Sequence, residues 1–187
     1  MILTLVCGIV KVVDSWVVVV ERGSVVAKPP IDLCIMFRGI SNIAVDAKGR
    51  VAIPKTHREP LIEVANSQLM LTVGPDNCLL VYPLHEWWPT EEKIMALPNT
   101  NPVHRRMQLM YVGHATKTDI DKSGRIMLPV KLREYARIEN KAVMVGQGRR
   151  LEIWSEDRWL DESENWPEQL ASVDVDDLSA EAQALSL

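Results

Sequence analysis

Cysteine and histidine are sparse in this 187-residue sequence, and neither is spaced as metal ligands usually are. Its three cysteines form no CxxC pair, and their odd number does not fit a disulfide framework. These patterns argue against a structural zinc site and favour a reducing compartment. We therefore expect no metal and no cofactor. The residues concerned are Cys7, Cys34, Cys78, His57, His85, His104 and His114.

Long hydrophobic runs are also missing. The apolar stretches "MILTLVCGIV" and "WVVVV" are interrupted by charged side chains, whereas a membrane span needs roughly 18 consecutive apolar residues. No positively charged region precedes the first stretch, as a signal peptide would require. We therefore expect no membrane partner. The linker-like "AKPPID" lies at residues 27–32. We expect residues 1–35 to be an extension outside the fold, consistent with a start codon upstream of the usual one at Met36.

Catalytic motifs are missing as well. The sequence has no nucleophile elbow, no phosphate-binding loop and no paired carboxylates at a catalytic spacing. An enzyme would have to combine Asp46 or Asp121 with His57 or His114. We therefore expect a protein that is not an enzyme and that has no small-molecule substrate.

Charge is unevenly distributed along the chain, although the formal net charge is only −4. Residues 155–187 contain ten acidic side chains and one basic side chain, whereas residues 36–154 contain 12 acidic and 17 basic ones. A basic body with an acidic tail is compatible with a polyanionic partner such as nucleic acid.

What the chain does contain is an internal repeat. "NIAVDAKGRVAIP" at residues 42–54 returns as "KTDIDKSGRIMLP" at residues 117–129, an offset of 75. Further along, the matching offset becomes 72, as between Gly74 and Gly146. Such a repeat predicts two copies of one supersecondary unit. Residues shared at the first offset are Asp46 and Asp121, Gly49 and Gly124, Arg50 and Arg125, Pro54 and Pro129, and Arg58 and Arg133.

Each copy predicts the same elements. Apolar residues alternate on both sides of the glycine turn, which is typical of a β-hairpin whose glycine supplies a positive φ. Pro54 and Pro129 fit the first turn of a following short helix, which Pro60 should kink or split in the first copy. Two further strands follow, in "LMLTVG" and "CLLVYP" and again in "AVMVG" and "LEIWS".

Two helices are predicted between the copies. "HEWWPTEEKIMAL" has one apolar face, provided that Pro89 lies in the first turn. "NPVHRRMQLMYVG" has Asn101 as its N-cap and Pro102 in the first helical position, and Gly113 ends it. The tail is acidic and rich in Ala and Ser, so we expect it to be flexible.

The two D-x-x-G-R motifs, each followed by three apolar residues and proline, resemble the tandem repeat of the MraZ family. The resemblance spans residues 36–187 and includes "MFRG" (36–39), "CLLVYPLHEW" (78–87), "NPVHRRMQLMYVGHAT" (101–116) and "VMVGQGRRLEIWSEDRW" (143–159). It implies a mainly β fold with short helices (α+β), a tandem swapped-hairpin AbrB-like β-barrel with intervening and C-terminal helices. The implied divisions are an N-terminal extension (1–35), a first repeat (36–88), connecting helices (89–112), a second repeat (113–160) and the tail (161–187).

The resemblance also implies a function. Proteins of this family are bacterial transcriptional regulators that bind double-stranded DNA and form ring-like oligomers. By that analogy the protein represses its own division and cell-wall gene cluster, bound to repeated operator elements as a ring-like homo-oligomer. Its expected location is the cytoplasm, in association with the nucleoid.

The family contacts DNA through the lysine and arginine of its first turn, which correspond to Lys48 and Arg50. Repeat symmetry extends this role to Lys122 and Arg125. The chemistry agrees, because an arginine fork can donate two parallel hydrogen bonds to guanine or phosphate and a two-stranded ribbon fits the major groove. We expect the first turn to dominate, because Lys48 would share one side of an extended strand with Arg50, whereas Ser123 holds that position in the second copy.

The aspartates and glycines of the two motifs have a structural interpretation. Asp46 and Asp121 are expected to pair with the arginines across each turn and hold the hairpins in register, while Gly49 and Gly124 keep the turns tight. Two other functions are considered: an AbrB-type antitoxin, with a tail that becomes ordered on a toxin, and a general nucleoid-associated protein. A pocket that gathered the aspartates and histidines with perturbed pKa values would instead favour an enzyme.

Overall fold

The computed structural model describes residues 36–173 and Ser179, together with the backbone of three N-terminal strands. These strands are β1 (Ile9–Val13), β2 (Trp16–Glu21) and β3 (Ser24–Lys28). They form an antiparallel sheet and, among the described strands, pair only with each other. Their valine content explains the extended backbone, since branched side chains suit a pleated strand. The expectation that residues 1–35 lie outside the main fold stays a prediction.

The two repeats contain the same elements in the same order. The first has β4 (Phe37–Ala44), β5 (Arg50–Ala52), α1 (Lys55–Ala65), β6 (Gln68–Val73) and β7 (Leu79–Pro83). The second has β8 (Thr116–Asp119), β9 (Arg125–Met127), α4 (Val130–Tyr135), β10 (Lys141–Gly148) and β11 (Arg150–Ser155). Between them lie α2 (Leu84–Met95) and α3 (Pro102–Met107), which continues as a π-helical turn (Gln108–Val112). Helix α5 (Glu156–Ala171) follows β11.

The repeats are interleaved in a six-stranded antiparallel sheet of order β4-β10-β11-β7-β6-β8. The first strand of each repeat pairs with the third strand of the other, β4 with β10 and β8 with β6. The central strands β7 and β11 pair with Leu80 opposite Glu152, residues that are 72 positions apart and thus equivalent in the two copies. The sheet therefore has a local twofold relation between the repeats.

The strands after the two glycine turns form a separate antiparallel ribbon. Strands β5 and β9 pair with Val51 opposite Ile126, Arg50 opposite Met127 and Ala52 opposite Arg125. The prediction of a complete hairpin within each copy is therefore wrong about the partners, although both turns form. In the first copy only a single bridge, Val45 to Val51, joins the strand before the turn to β5.

The predicted fold class, mainly β with short helices, is confirmed, but the expected closed barrel is not observed among the described strands. The six-stranded sheet ends at β4 and β8, and the ribbon is a separate two-stranded sheet. The physical reason lies in the glycine turns, because they lead the chain away from both edge strands. The following strands then pair with each other over the core rather than extending the sheet edges.

The sheet carries apolar side chains on both faces. One face packs against the ribbon and the helices α1 and α4, and each fully buried aliphatic side chain there contributes about 1.5–3 kcal/mol. The other face packs against α2, the π-helical turn and the start of α5. Central members of the first cluster are Val51, Ile53, Leu61, Leu71, Leu79, Ile126, Leu128, Leu132 and Ile153, and the second comprises Met70, Cys78, Leu80, Tyr82, Trp87 and Trp154.

Proline placement differs from the sequence-based expectation. Pro54 and Pro129 are the N-cap residues of α1 and α4 and so stand just before the first helical residue. Pro60 does not split α1, which continues to Ala65. Pro89 lies at the sixth position of α2, beyond the first turn. A proline near a helix start removes a single backbone hydrogen bond, so the helix can continue past it.

The predicted N-cap at Asn101 is confirmed. Its side chain accepts a hydrogen bond from the Val103 N–H at 2.8 Å and caps α3.

Near the C-terminus, residues 161–171, which the sequence analysis assigned to the tail, continue helix α5. Residues 174–178 and 180–187 lie outside the described residues, and so does the expectation that they are flexible.

Candidate nucleic-acid interface

The first turn, between β4 and β5, is organised by Asp46. Its Oδ1 atom accepts hydrogen bonds from the backbone N–H groups of Lys48 and Arg50, both at 2.9 Å. The Gly49 N–H donates to the Asp46 carbonyl at 2.8 Å, and Gly49 has a φ of +77°. The turn thus uses a short acceptor at position 46 and a residue that tolerates positive φ at position 49.

The second turn, between β8 and β9, has the same construction. Asp121 Oδ1 accepts from the N–H groups of Ser123 at 2.8 Å and Arg125 at 2.9 Å. The Gly124 N–H donates to the Asp121 carbonyl at 2.8 Å, and the φ of Gly124 is +73°. The geometry of the turn therefore repeats along with its sequence.

Arg50 is held by its own turn through one edge of the guanidinium. Its Nε donates to Asp46 Oδ2 at 2.8 Å, and its Nη2 lies 2.7 Å from the same oxygen. The hydrogen bond from the Arg50 side chain is the largest cause that lowers the pKa of Asp46 to about 2. A guanidinium carries five N–H donors, and Asp46 binds two of them. The other three, two on Nη1 and one on Nη2, form the terminal edge of the group and have no partner among the described residues.

The corresponding pair in the second turn is looser. Arg125 Nε lies 3.2 Å from Asp121 Oδ2, and this is the only ion-pair contact between them. The pKa of Asp121 is also lowered, but chiefly by the backbone N–H of Arg125 rather than by its side chain. The two turns therefore differ in how firmly the arginine is positioned.

The ribbon brings the two arginines onto one exposed face. Val51 and Ile126 point into the core and are 0% and 1% exposed, so the residues on either side of them point outward. Arg50 lies opposite Met127, two residues from Arg125, and such diagonal neighbours are about 7–8 Å apart. Met127, which is 45% exposed, and Ala52 hold the other diagonal. The outward face therefore places an arginine next to an apolar residue on each strand.

Both predicted lysines lie in the turns. The expectation that Lys48 shares one side of an extended strand with Arg50 is wrong, because residue 48 belongs to the turn and its N–H binds Asp46. Lys48 and Lys122 are exposed, and neither forms an ion pair within the part of the chain that the structure describes. Their ammonium groups are thus at the ends of the ribbon rather than on its flat face.

Two further arginines adjoin the turns, and the sequence motifs pointed to no role for them. Arg133 packs against Gly49, and Arg58 packs against Gly124. Each therefore comes from the repeat opposite to the turn that it touches. The sequence signal that could have indicated a role for them is their recurrence at the same offset as the D-x-x-G-R motifs.

The enzyme hypothesis receives no support from the histidines. His57 is buried, its pKa is lowered by burial, and its ring lies 6.0 Å from that of Phe37. The Nδ1 atom of His114 is 2.9 Å from the Met110 carbonyl. Within residues 36–173, no hydrogen bond joins either histidine to Asp46 or Asp121. Over the described residues, no group of three potential metal ligands converges, and no helix is long and apolar enough to cross a membrane.

The fold and this site define a class of protein: a mainly β chain of two interleaved repeats, whose Asp–Gly–Arg turns flank a shared ribbon. A family model described as "MraZ protein, putative antitoxin-like" matches residues 36–110 and again residues 111–180. The chain belongs to the MraZ family.

Individual relatives agree with the family match. The "Transcriptional regulator MraZ" of Hydrogenovibrio crunogenus is 44% identical over 154 residues, which cover 82% of this chain and 99% of the relative. The protein of the same name from Coxiella burnetii is 44% identical over 81% of this chain and 100% of its own length. That from Thioalkalivibrio sulfidiphilus is 45% identical over 70% of this chain and 87% of the relative.

Proposed function

We propose that the protein is a sequence-specific DNA-binding transcriptional regulator that represses its own division and cell-wall gene cluster. The observation that carries the proposal is the exposed face of the β5–β9 ribbon, where Arg50 and Arg125 are diagonal neighbours and Met127 lies beside both. The names of the relatives, all transcriptional regulators, support the same function. The protein would act on the nucleoid, and its partner is double-stranded DNA.

The dimensions of the ribbon suit the major groove. A two-stranded ribbon fits a groove about 12 Å wide. The diagonal spacing of the arginines, about 7–8 Å, equals roughly two steps of about 3.4 Å along a DNA strand. The terminal edge of Arg50, which Asp46 leaves free, can donate two parallel hydrogen bonds to guanine O6 and N7 or to a phosphate. Lys48 and Lys122 would contact the phosphates beside the groove.

The assembly that we propose is a ring. Two separate helical surfaces expose large apolar side chains: Val103 and Leu109 are each 57% exposed on α3 and the π-helical turn, and Leu160 and Leu170 are 51% and 72% exposed on α5. Exposed apolar patches of this kind are typical of interaction surfaces. Contact between two different surfaces is heterologous, and a heterologous contact closes into a ring when the rotation permits.

A ring would present several ribbons to repeated operator elements at once. Each additional contact then forms at a high effective concentration, so that weak contacts add to strong overall binding. The antitoxin alternative is less well supported, because the start of α5 already packs on its own sheet, with the rings of Trp159 and Trp154 5.8 Å apart.

The test is a footprint on the DNA immediately upstream of the gene, followed by titration of the protected fragment. Arg50→Ala should lose affinity, whereas Arg149→Ala serves as the charge-matched control. Arg149 lies beyond the far end of β10 and contacts Glu86 at 3.4 Å. A folded Arg50→Ala variant with unchanged affinity would contradict the proposal. Equal affinity of the normal protein for unrelated DNA would instead favour a general nucleoid-associated protein.

A further inference from the structure

Arg58 in α1 and Arg133 in α4 occupy equivalent positions in the two repeats, and each packs on a turn of the opposite repeat. A Cβ atom placed on Gly49 would lie 2.9 Å from Arg133 Nε and 3.0 Å from its Cζ. A Cβ atom on Gly124 would overlap the Arg58 guanidinium even more closely. Each turn glycine is thus covered by an arginine that crosses over from the other repeat.

The backbone crosses over at the same two points. The Leu128 N–H donates to the Gly49 carbonyl at 2.9 Å, and the Ile53 N–H donates to the Gly124 carbonyl at 2.9 Å. Arg133 also donates from Nε to the carbonyl of Leu128 at 3.2 Å. Gly49 is therefore held on two sides by the second repeat, through its carbonyl and through its Cα. Arg50 follows it directly in the chain.

The charges of these two arginines are not neutralised by an ion pair within the described part of the chain. Neither Arg58 nor Arg133 forms an ion pair with a carboxylate among the residues that the structure describes. Packing a planar guanidinium on a glycine peptide requires no opposite charge, whereas an apolar side chain there would be partly exposed. The guanidinium packs on the turn while its charge adds to the positive potential beside the ribbon.

We propose that Arg133 is a positioning residue for the first DNA-binding turn and that Arg58 is a positioning residue for the second. This inference rests on the proposed function, since the turns matter for DNA only if the ribbon binds it. The crossed arrangement leads to a specific expectation. Loss of Arg133 must impair the action of Arg50, in the other repeat, more than that of Arg125, in its own.

Double-mutant cycles on operator affinity test this expectation. Arg133→Met keeps the aliphatic stem and removes the guanidinium. Combined with Arg50→Ala, its effect on affinity should be non-additive by roughly three-fold or more, because residues that depend on one stretch of backbone are coupled. Combined with Arg125→Ala, the fold-changes in affinity of the two single variants should simply multiply. Arg58→Met should show the mirror image. Lys131→Met, which removes a charge from an exposed position of the same helix, is the control and should couple with neither arginine.

Amide hydrogen exchange in the protein without DNA gives an independent measurement. Arg133→Met should accelerate exchange in residues 46–50 more than in residues 121–125, and Arg58→Met should do the reverse. Arg133→Lys should not restore protection, because lysine has no Nε–H to donate to the Leu128 carbonyl and no planar group to pack on Gly49. If the exchange changes fall on the turn of the same repeat, or on both turns equally, the positioning role is wrong.

The two proposals fail in different ways. Normal DNA affinity in Arg50→Ala would remove the proposed function, while the exchange measurement would still decide the positioning role. If Arg133→Met instead reduces the salt dependence of binding by about one unit and its loss is additive with that of Arg50→Ala, Arg133 contacts phosphate directly. That result would overturn the positioning role and leave the DNA interface intact.

Discussion

At the residue scale, Arg50 combines a structural role with a free donor edge. Asp46 uses the Nε side of the guanidinium, with contacts of 2.8 and 2.7 Å, and the three remaining N–H donors are available. The ion pair also restricts the side-chain rotamers before DNA is bound. Less conformational entropy is then lost on binding, which is the usual advantage of preorganisation. Pairing with aspartate and contact with DNA are therefore compatible.

The first prediction concerns the inequality of the two arginines. Arg50→Ala should cost about 1–3 kcal/mol of binding free energy per engaged protomer if it removes a bidentate base contact. Arg125→Ala should cost less, because its ion pair with Asp121 is longer and leaves the guanidinium less well fixed. Operator titration of both folded variants at two salt concentrations measures the difference. Equal losses would contradict the asymmetry.

The second prediction concerns pH. The folded pKa of Asp46, about 2, lies below its ordinary value of 3.8, so folding favours the carboxylate. Its contribution to stability is complete above about pH 5 and is lost as the pH falls through the folded pKa. Asp46→Asn keeps the turn acceptor but removes the charge. It should therefore be less stable than the normal protein at pH 7, and the difference should shrink towards pH 2.

Urea unfolding at a series of pH values measures this difference. Glu63→Gln is the control, since it removes an exposed carboxylate that has no ion pair among the described residues. A stability difference for Asp46→Asn that stays constant between pH 7 and pH 2 would show that the charge of Asp46 contributes nothing.

At the scale of elements, the sequence predicted the turns and strands but not the strand partners. A D-x-x-G-R motif specifies a turn through local hydrogen bonds, which depend on residues only a few positions apart. Alternation around Val51 shows which side chains face the core, yet it cannot show that the partner across the ribbon is Ile126. That choice depends on burial shared by both repeats. The turn residues of the site were thus predictable, whereas Arg58 and Arg133 required the interleaved fold.

The third prediction separates backbone strain from side-chain contact at the turn glycine. Gly39 has a φ of +89°, and a Cβ atom added to it would have no atom within 4 Å, whereas Gly49 has a φ of +77° and faces Arg133. Gly39→Ala should cost only the left-handed backbone energy, about 1–2 kcal/mol. Gly49→Ala should cost more free energy of unfolding, measured in urea. Adding Arg133→Ala to Gly49→Ala should recover part of the extra loss in the free energy of unfolding. Similar losses for the two glycine variants would rule out a tight contact between Arg133 and Gly49.

At the scale of the whole molecule, interleaving makes the two repeats depend on each other. Three strand pairings, β4–β10, β8–β6 and β5–β9, each join one repeat to the other. Neither repeat can retain its edge strand or its ribbon strand alone. The body formed by residues 36–171 should consequently unfold as one cooperative unit.

The fourth prediction is that a chain beginning at Met36 melts at nearly the same temperature as the full chain. The family match begins at residue 36, and strands β1, β2 and β3 pair only with each other among the described strands. Thermal unfolding of the two chains measures the contribution of residues 1–35. A large loss of stability in the shorter chain would show that the N-terminal segment packs on the body.

The fifth prediction is that the protein assembles beyond a dimer through two different surfaces. Light scattering after size-exclusion chromatography should show the larger assembly. Leu109→Glu on the π-helical turn and Leu170→Glu on α5 should each abolish it, because a charge buried in an apolar contact is strongly unfavourable. Ile62→Glu is the control, since Ile62 is 47% exposed on α1, away from both surfaces. A monomer at all micromolar concentrations would exclude the ring.

Mixing the two variants then identifies the type of contact. The Leu109→Glu chain keeps an intact α5 surface, and the Leu170→Glu chain keeps an intact surface on α3 and the π-helical turn. If the contact is heterologous, one chain of each kind should associate and stop there, so the mixture should form dimers. If each surface instead pairs with its own copy, each variant should form dimers alone and the mixture should gain nothing. On DNA, the mixed dimer should also lack the avidity that a ring would give on repeated operator elements.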